Sequence, residues 1–142
     1  GQRVAEAFLK NTVLMPTQIV AYALFELLRS RFPKFDVYEL LRLTSGEVIP
    51  WYRLEAMLEE TLEALRQKER AGRLQLSAIA REGSVEEVQQ AGMDNLTSYH
   101  VPEIIERMGD GILLNKLDLL YYYGNRARSF ELEGRELCKA AE

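Results

Sequence analysis

Two groups of side chains in this sequence carry the atoms needed for chemistry or for gripping a ligand. The first is His100, the single histidine, in the run Thr97-Ser-Tyr-His100. The second is Asn125, Arg126 and Arg128, at the end of a tyrosine-rich stretch. An imidazole beside an aromatic ring is able to contact an anion or a substrate. In the simpler reading it is a strand residue whose ring nitrogen is hydrogen-bonded, as buried polar groups normally are. A carboxamide and two guanidinium groups are donors suited to a phosphate or to a partner's carboxylate. The same residues also suit the end of any helix, where cations face the negative end of the dipole. These two readings of Asn125, Arg126 and Arg128 stand level.

Other chemistries find little support. A catalytic triad lacks its Gly-x-Ser-x-Gly elbow, and sites built from several His and Cys residues are excluded by one His and one Cys. Cys138 has no partner for an internal disulfide, which fits a reducing compartment. Gly109 and Gly111 are not followed by Gly-Lys-Ser/Thr, so no phosphate-cradling loop is present. Glu59 and Glu63 lie one turn apart, but without a nearby histidine they read as a solvated helix face rather than a metal site. No catalytic residue, metal ligand or cofactor is therefore assigned. A net charge of -4 gives no global positive field, so nucleic acid is not favoured as a partner.

The elements that must position these residues are mostly helical. Thr17 is placed to cap a helix over residues 18–31 that is apolar nearly all round, after a loop over 11–17. The tract Asp36-Val-Tyr-Glu39 has the form of a capping box for a short helix to Leu43, with Val37, Leu40 and Leu41 inward. Pro50 opens the longest helix, to about Ala71, with Gly72 as its stop. A short strand over 73–76 and a second capping box, Ser84-Val-Glu-Glu87, follow, the latter starting a helix that ends near Gly92. Residues 97–101 and 104–108 read as extended, with Gly109-Asp110-Gly111 as a turn and 112–114 as the return strand. The last helix, over 117–128, places Leu117, Leu120, Tyr121 and Gly124 on one face. Leu119, Tyr122, Tyr123 and Arg126 widen its arc, which makes it the expected central helix. Residues 3–9 are weakly amphipathic and read as a short helix, and the polar end, 129–142, is expected to fray.

These elements predict one mainly helical domain with a small β-hairpin, an α+β class compatible with a winged helix. A winged helix used for protein contact is one functional reading. DNA binding fits the acidic balance poorly. No apolar run approaches the roughly 18–20 residues that a membrane helix needs. The start Gly-Gln-Arg, without Met or a signal peptide, suggests a piece of a larger protein.

Three blocks carry a family resemblance. They are Asn11-Thr-Val-Leu-Met-Pro-Thr-Gln-Ile-Val-Ala-Tyr-Ala-Leu-Phe25 with the Leu-Leu-Arg-Leu ending at Leu43, then Thr97-Ser-Tyr-His100, then Leu119-Leu-Tyr-Tyr-Tyr-Gly-Asn-Arg126. In this order they resemble the segment that follows the catalytic domain in bacterial glycerol-3-phosphate acyltransferases and related lysophospholipid acyltransferases. Gly124 stands where that pattern has an arginine, which removes the basis for carrying over that arginine's role. The resemblance implies an enzyme that moves an acyl group from a thioester to glycerol 3-phosphate at the cytoplasmic membrane face. Its base is the His of a His-x-x-x-x-Asp motif in the catalytic domain. Here Ile105 stands five residues after His100, so His100 does not inherit that role. The chain is thus expected to be the non-catalytic C-terminal part of such an enzyme. Its expected partners are the catalytic domain of the same parent chain and, through that parent, the inner membrane surface.

Overall fold

Helix α1 (Pro16–Arg31) is buried from Ile19 to Leu28, and the other elements are arranged to cover it. The computed structural model describes residues 13–44 and 46–130, and among these are six helices and five short strands. In order they are β1 (Val13–Leu14), α1, α2 (Val37–Leu41), β2 (Val48–Pro50), α3 (Trp51–Arg70) and β3 (Gln75–Leu76). Then come α4 (Ala78–Glu82), α5 (Val85–Leu96), β4 (Ile105–Arg107), β5 (Gly111–Leu114) and α6 (Leu117–Arg128). The fold is α+β, mainly helical with a small antiparallel sheet of order β2-β5-β4. The expected helix over 3–9 and the tail beyond Phe130 lie outside the described residues. Phe130 itself is buried, so the chain is still packed one residue past the point where fraying was expected to begin.

The central helix is α1, not the tyrosine helix. A segment apolar on all sides requires neighbours on all sides, and α3, α5 and α6 pack around it. It begins at Pro16, whose fixed φ suits the first turn. Thr17 is inside the helix and is not the cap. Its hydroxyl accepts a hydrogen bond from Asn95 Nδ2 at 2.6 Å, which ties α1 to α5. The residues before it are not all loop, because Val13 and Leu14 pair in parallel with Gln75 and Leu76.

The two capping boxes form as expected. Glu39 N donates to Asp36 Oδ1 at 2.8 Å and Glu87 N donates to Ser84 Oγ at 3.1 Å. Helix α3 starts after Pro50 and buries Leu54, Met57, Leu58, Leu62 and Leu65, with Gly72 just beyond its end. Helix α5 does not stop near Gly92 but runs to Leu96. Gly92 serves as a point of close approach. A Cβ there would lie 2.4 Å from Val20 Cγ2 and 2.9 Å from the Pro16 carbonyl oxygen of α1.

Residues 97–101 are not a strand. Thr97 Oγ1 donates to the Met93 carbonyl at 2.8 Å and Ser98 Oγ to that of Asp94 at 2.7 Å. Hydroxyls that satisfy helix-end carbonyls compete with strand pairing. The hairpin is confined to β4 and β5, with β2 as the third strand.

A further knot closes α3 onto β3 and α4. Glu69 accepts from Arg81 Nε at 2.8 Å and Nη2 at 2.9 Å, and from the Leu76 amide at 2.7 Å. The bond from Arg81 is the main reason that the Glu69 carboxyl is held below its ordinary range; burial opposes this, and the Leu76 amide adds to it. A carboxylate whose pKa is depressed on folding stabilises the fold above its unfolded pKa, and that contribution is lost as pH falls through the folded one. Glu69→Gln is therefore expected to lower the melting temperature at neutral pH and to flatten its fall on acidification. Melting followed by circular dichroism across pH tests this; parallel curves for the two proteins would sink it.

Candidate functional site

Helix α6 presents an inner side to α1 and an outer side to solvent. It runs antiparallel to α1, since Phe25 meets Tyr121 with ring centroids 4.9 Å apart while Tyr22 meets Gly124. Glycine at 124 allows that approach: a Cβ would lie 3.0 Å from Tyr22 Cα and 3.3 Å from Arg128 Nη2. Leu117, Leu120, Gly124 and Ala127 are buried and Tyr121 is half-buried, as the spacing predicts. Tyr122 and Arg126, expected within the apolar arc, are exposed instead. A tyrosine's hydroxyl lets an outward ring remain hydrated at its tip.

On the inner side, the Arg128 side chain turns back along the helix into the groove between α6 and α1. Its Cζ lies 4.1 Å from the Tyr121 ring centroid, 5.5 Å from that of Phe25 and 5.9 Å from that of Tyr22. Nη1 donates to Asn125 Oδ1 at 2.6 Å and more weakly to the Tyr121 carbonyl at 3.3 Å. Among the described residues, Nε and Nη2 are buried without a hydrogen-bond partner. These two N–H groups point in parallel from one edge of the guanidinium, the edge that clamps a carboxylate at both oxygens. The nearest carboxylate is that of Glu26, with Oε1 3.9 Å from Nε, and Glu26 is only 5% exposed. The same oxygen accepts from Arg29 Nη1 at 3.3 Å. Burial pulls the Arg128 pKa below its ordinary value, against the pull of Tyr121 and Glu26. The result is a partly buried cation boxed by aromatic faces, with one acid set beside it.

On the outer side, His100 and the tyrosines form an aromatic shelf. His100 Nε2 and the Tyr123 hydroxyl are 3.3 Å apart. Tyr99 and Tyr122 flank Tyr123, with centroids 5.8 and 5.5 Å from it. Tyr99, Tyr122 and the adjoining Val101 are exposed, Val101 almost fully at 96%.

The four residues singled out from the sequence are thus divided. Asn125 and Arg128 are joined, Arg126 points to solvent, and His100 belongs to the tyrosine shelf. Glu26 is the site residue that sequence reasoning passed over. Its signal was present, because it is the one charge within residues 18–28, with Arg29 one turn on. Among the described residues no cluster of three or more His, Cys, Asp or Glu side chains is placed to hold a metal, and no helix is long and apolar enough to cross a membrane. No family model, curated protein or solved structure matches the chain.

Proposed function

We propose that this chain is the accessory C-terminal domain of a phospholipid-synthesis acyltransferase. In this reading the acyl transfer to glycerol 3-phosphate is performed by a His-x-x-x-x-Asp domain that precedes it in the parent protein. The observation that carries the reading is the convergence of the three resembling blocks. Phe25 of the first packs edge-on against Tyr121 of the third, and His100 of the second reaches Tyr123 of the third. Segments far apart in sequence that share one unit are what a domain under common constraint would contain. On this reading His100 orients Tyr123 and does not act as a base. The partner is the catalytic domain of the same chain, working at the cytoplasmic face of a membrane.

The test is to determine the coding sequence upstream of Gly1 and to assay the whole product with glycerol 3-phosphate and an acyl thioester. A His-x-x-x-x-Asp domain and formation of the monoacyl product are expected. Absence of that motif, or acyl transfer by the 142-residue chain alone, overturns the proposal.

A second reading is an independent protein-interaction module, winged-helix-like in the order of its elements. The exposed shelf of Tyr99, Val101 and Tyr122 favours it, since exposed apolar surface commonly marks contact sites. A start codon immediately before Gly1 would select this reading over the first.

A further inference from the structure

We propose that the exposed face of α6 is self-complementary and that a second copy of this chain docks on it antiparallel, about a twofold axis passing by Tyr122. Asp118, Tyr122 and Arg126 are spaced by four, so they form one row along the helix. All three are exposed, Tyr122 by 66%. An acid lies one turn before the ring and a base one turn after it. An antiparallel copy with its axis at Tyr122 sets Asp118 against the partner's Arg126, and Arg126 against the partner's Asp118. Two rings then meet at the axis, where offset or edge-on packing is favourable. This is the isologous pairing that a C2 dimer requires. A parallel copy in register would oppose like charges, so the charge pattern selects one orientation.

Three further observations support this. Asp118 and Arg126 make no ion pair among the described residues. They do not satisfy each other either, because eight residues of helix separate them by about 12 Å. Tyr122 is already held against Tyr123, itself in contact with His100, so less side-chain freedom is lost on docking. Tyr99 and Val101 extend the apolar surface beside the row. One helix face with this margin is small beside a standard interface, so the dimer is a weak one that salt weakens further.

Sedimentation of the 142-residue chain over a range of concentration and salt tests the proposal. A concentration-dependent dimer, weaker at high salt, is expected. Asp118→Lys and Arg126→Glu should each raise the dissociation constant about tenfold or more, and the double exchange should restore it, since each new charge again faces its opposite. Tyr122→Ser, at an exposed position, should abolish the dimer without altering the far-ultraviolet spectrum. A chain that stays monomeric to about 1 mM, a dimer indifferent to both single reversals, or a double exchange that fails to restore it overturns the proposal. None of these outcomes depends on what precedes Gly1, so the test stands apart from the acyltransferase reading.

Discussion

Gly92→Val is expected to destabilise the fold by about 3 kcal/mol or more. At this position α5 lies against α1 with no room for a side chain: the first added carbon would fall 2.4 Å from Val20 Cγ2, 2.7 Å from Val20 Cβ and 2.9 Å from the Pro16 carbonyl oxygen. Two of those atoms belong to a branched side chain with little freedom and the third is backbone, so the helices must separate. Overpacking of this kind costs about 1–3 kcal/mol for modest insertions, and valine adds two further methyl carbons. Removing a glycine from a helix interior returns only about 1 kcal/mol. A net loss of about 3 kcal/mol or more is a large share of the roughly 5–15 kcal/mol that holds a domain folded. Gly92→Ala should fall between the two, and Val20→Ala introduced beside it should recover part of the loss by vacating the space that the new methyl needs. Gly109, with nothing within 4 Å of an added Cβ, provides the control. Its alanine variant should lie within about 0.5 kcal/mol of the parent. Urea denaturation measures all four, and a Gly92→Val protein as stable as the parent would show that the two helices do not touch there.

Glu26→Leu is expected to cost about 3 kcal/mol, because it strands the Arg128 cation among three aromatic rings with two buried N–H groups already unpartnered among the described residues. The lower end of the range for broken buried pairs applies, since the Arg128 side chain keeps 21% of its surface exposed and Glu26 stands at 3.9 Å rather than at bonding distance. Arg128→Met should cost less, about 1–2 kcal/mol, because Glu26 retains Arg29. The double variant should be close to the parent, as apolar side chains of similar size suit a groove walled by Tyr22, Phe25 and Tyr121. These figures imply a coupling of about 4–5 kcal/mol between the two positions. Denaturation of the four proteins gives that number directly, and additive losses would mean that the acid and the guanidinium do not sense each other.

Local features were legible in the sequence because their partners lie within one turn. Asp36 with Glu39, and Ser84 with Glu87, satisfy helix amides from three residues away, so the pattern alone locates them. The glycine turn of the hairpin is similar. What escaped depends on distant chain. Val13 and Leu14 are too short a strand to show a period, and only Gln75 and Leu76 make them one. Gly92 reads as a helix stop until α1 is known to press on it. The all-round apolar character of residues 18–31 identified a buried helix, yet the tyrosines drew attention to α6 as the centre. Tyr122 can face water, whereas Leu24 and Phe25 cannot. The same holds for the candidate site. Spacing marked Arg128 as a donor, but its acid is on α1, and no periodicity within α6 announces Glu26.

Because α1 is covered by a helix that begins 86 positions after it ends (117 − 31), its cover is late during biosynthesis. At about 5–20 residues per second, a segment covered only by α3 and α5 waits on the order of ten seconds for α6 to be translated. Over that interval the side of α1 that α6 will cover stays open, and transiently exposed apolar surface of this kind is prone to aggregation.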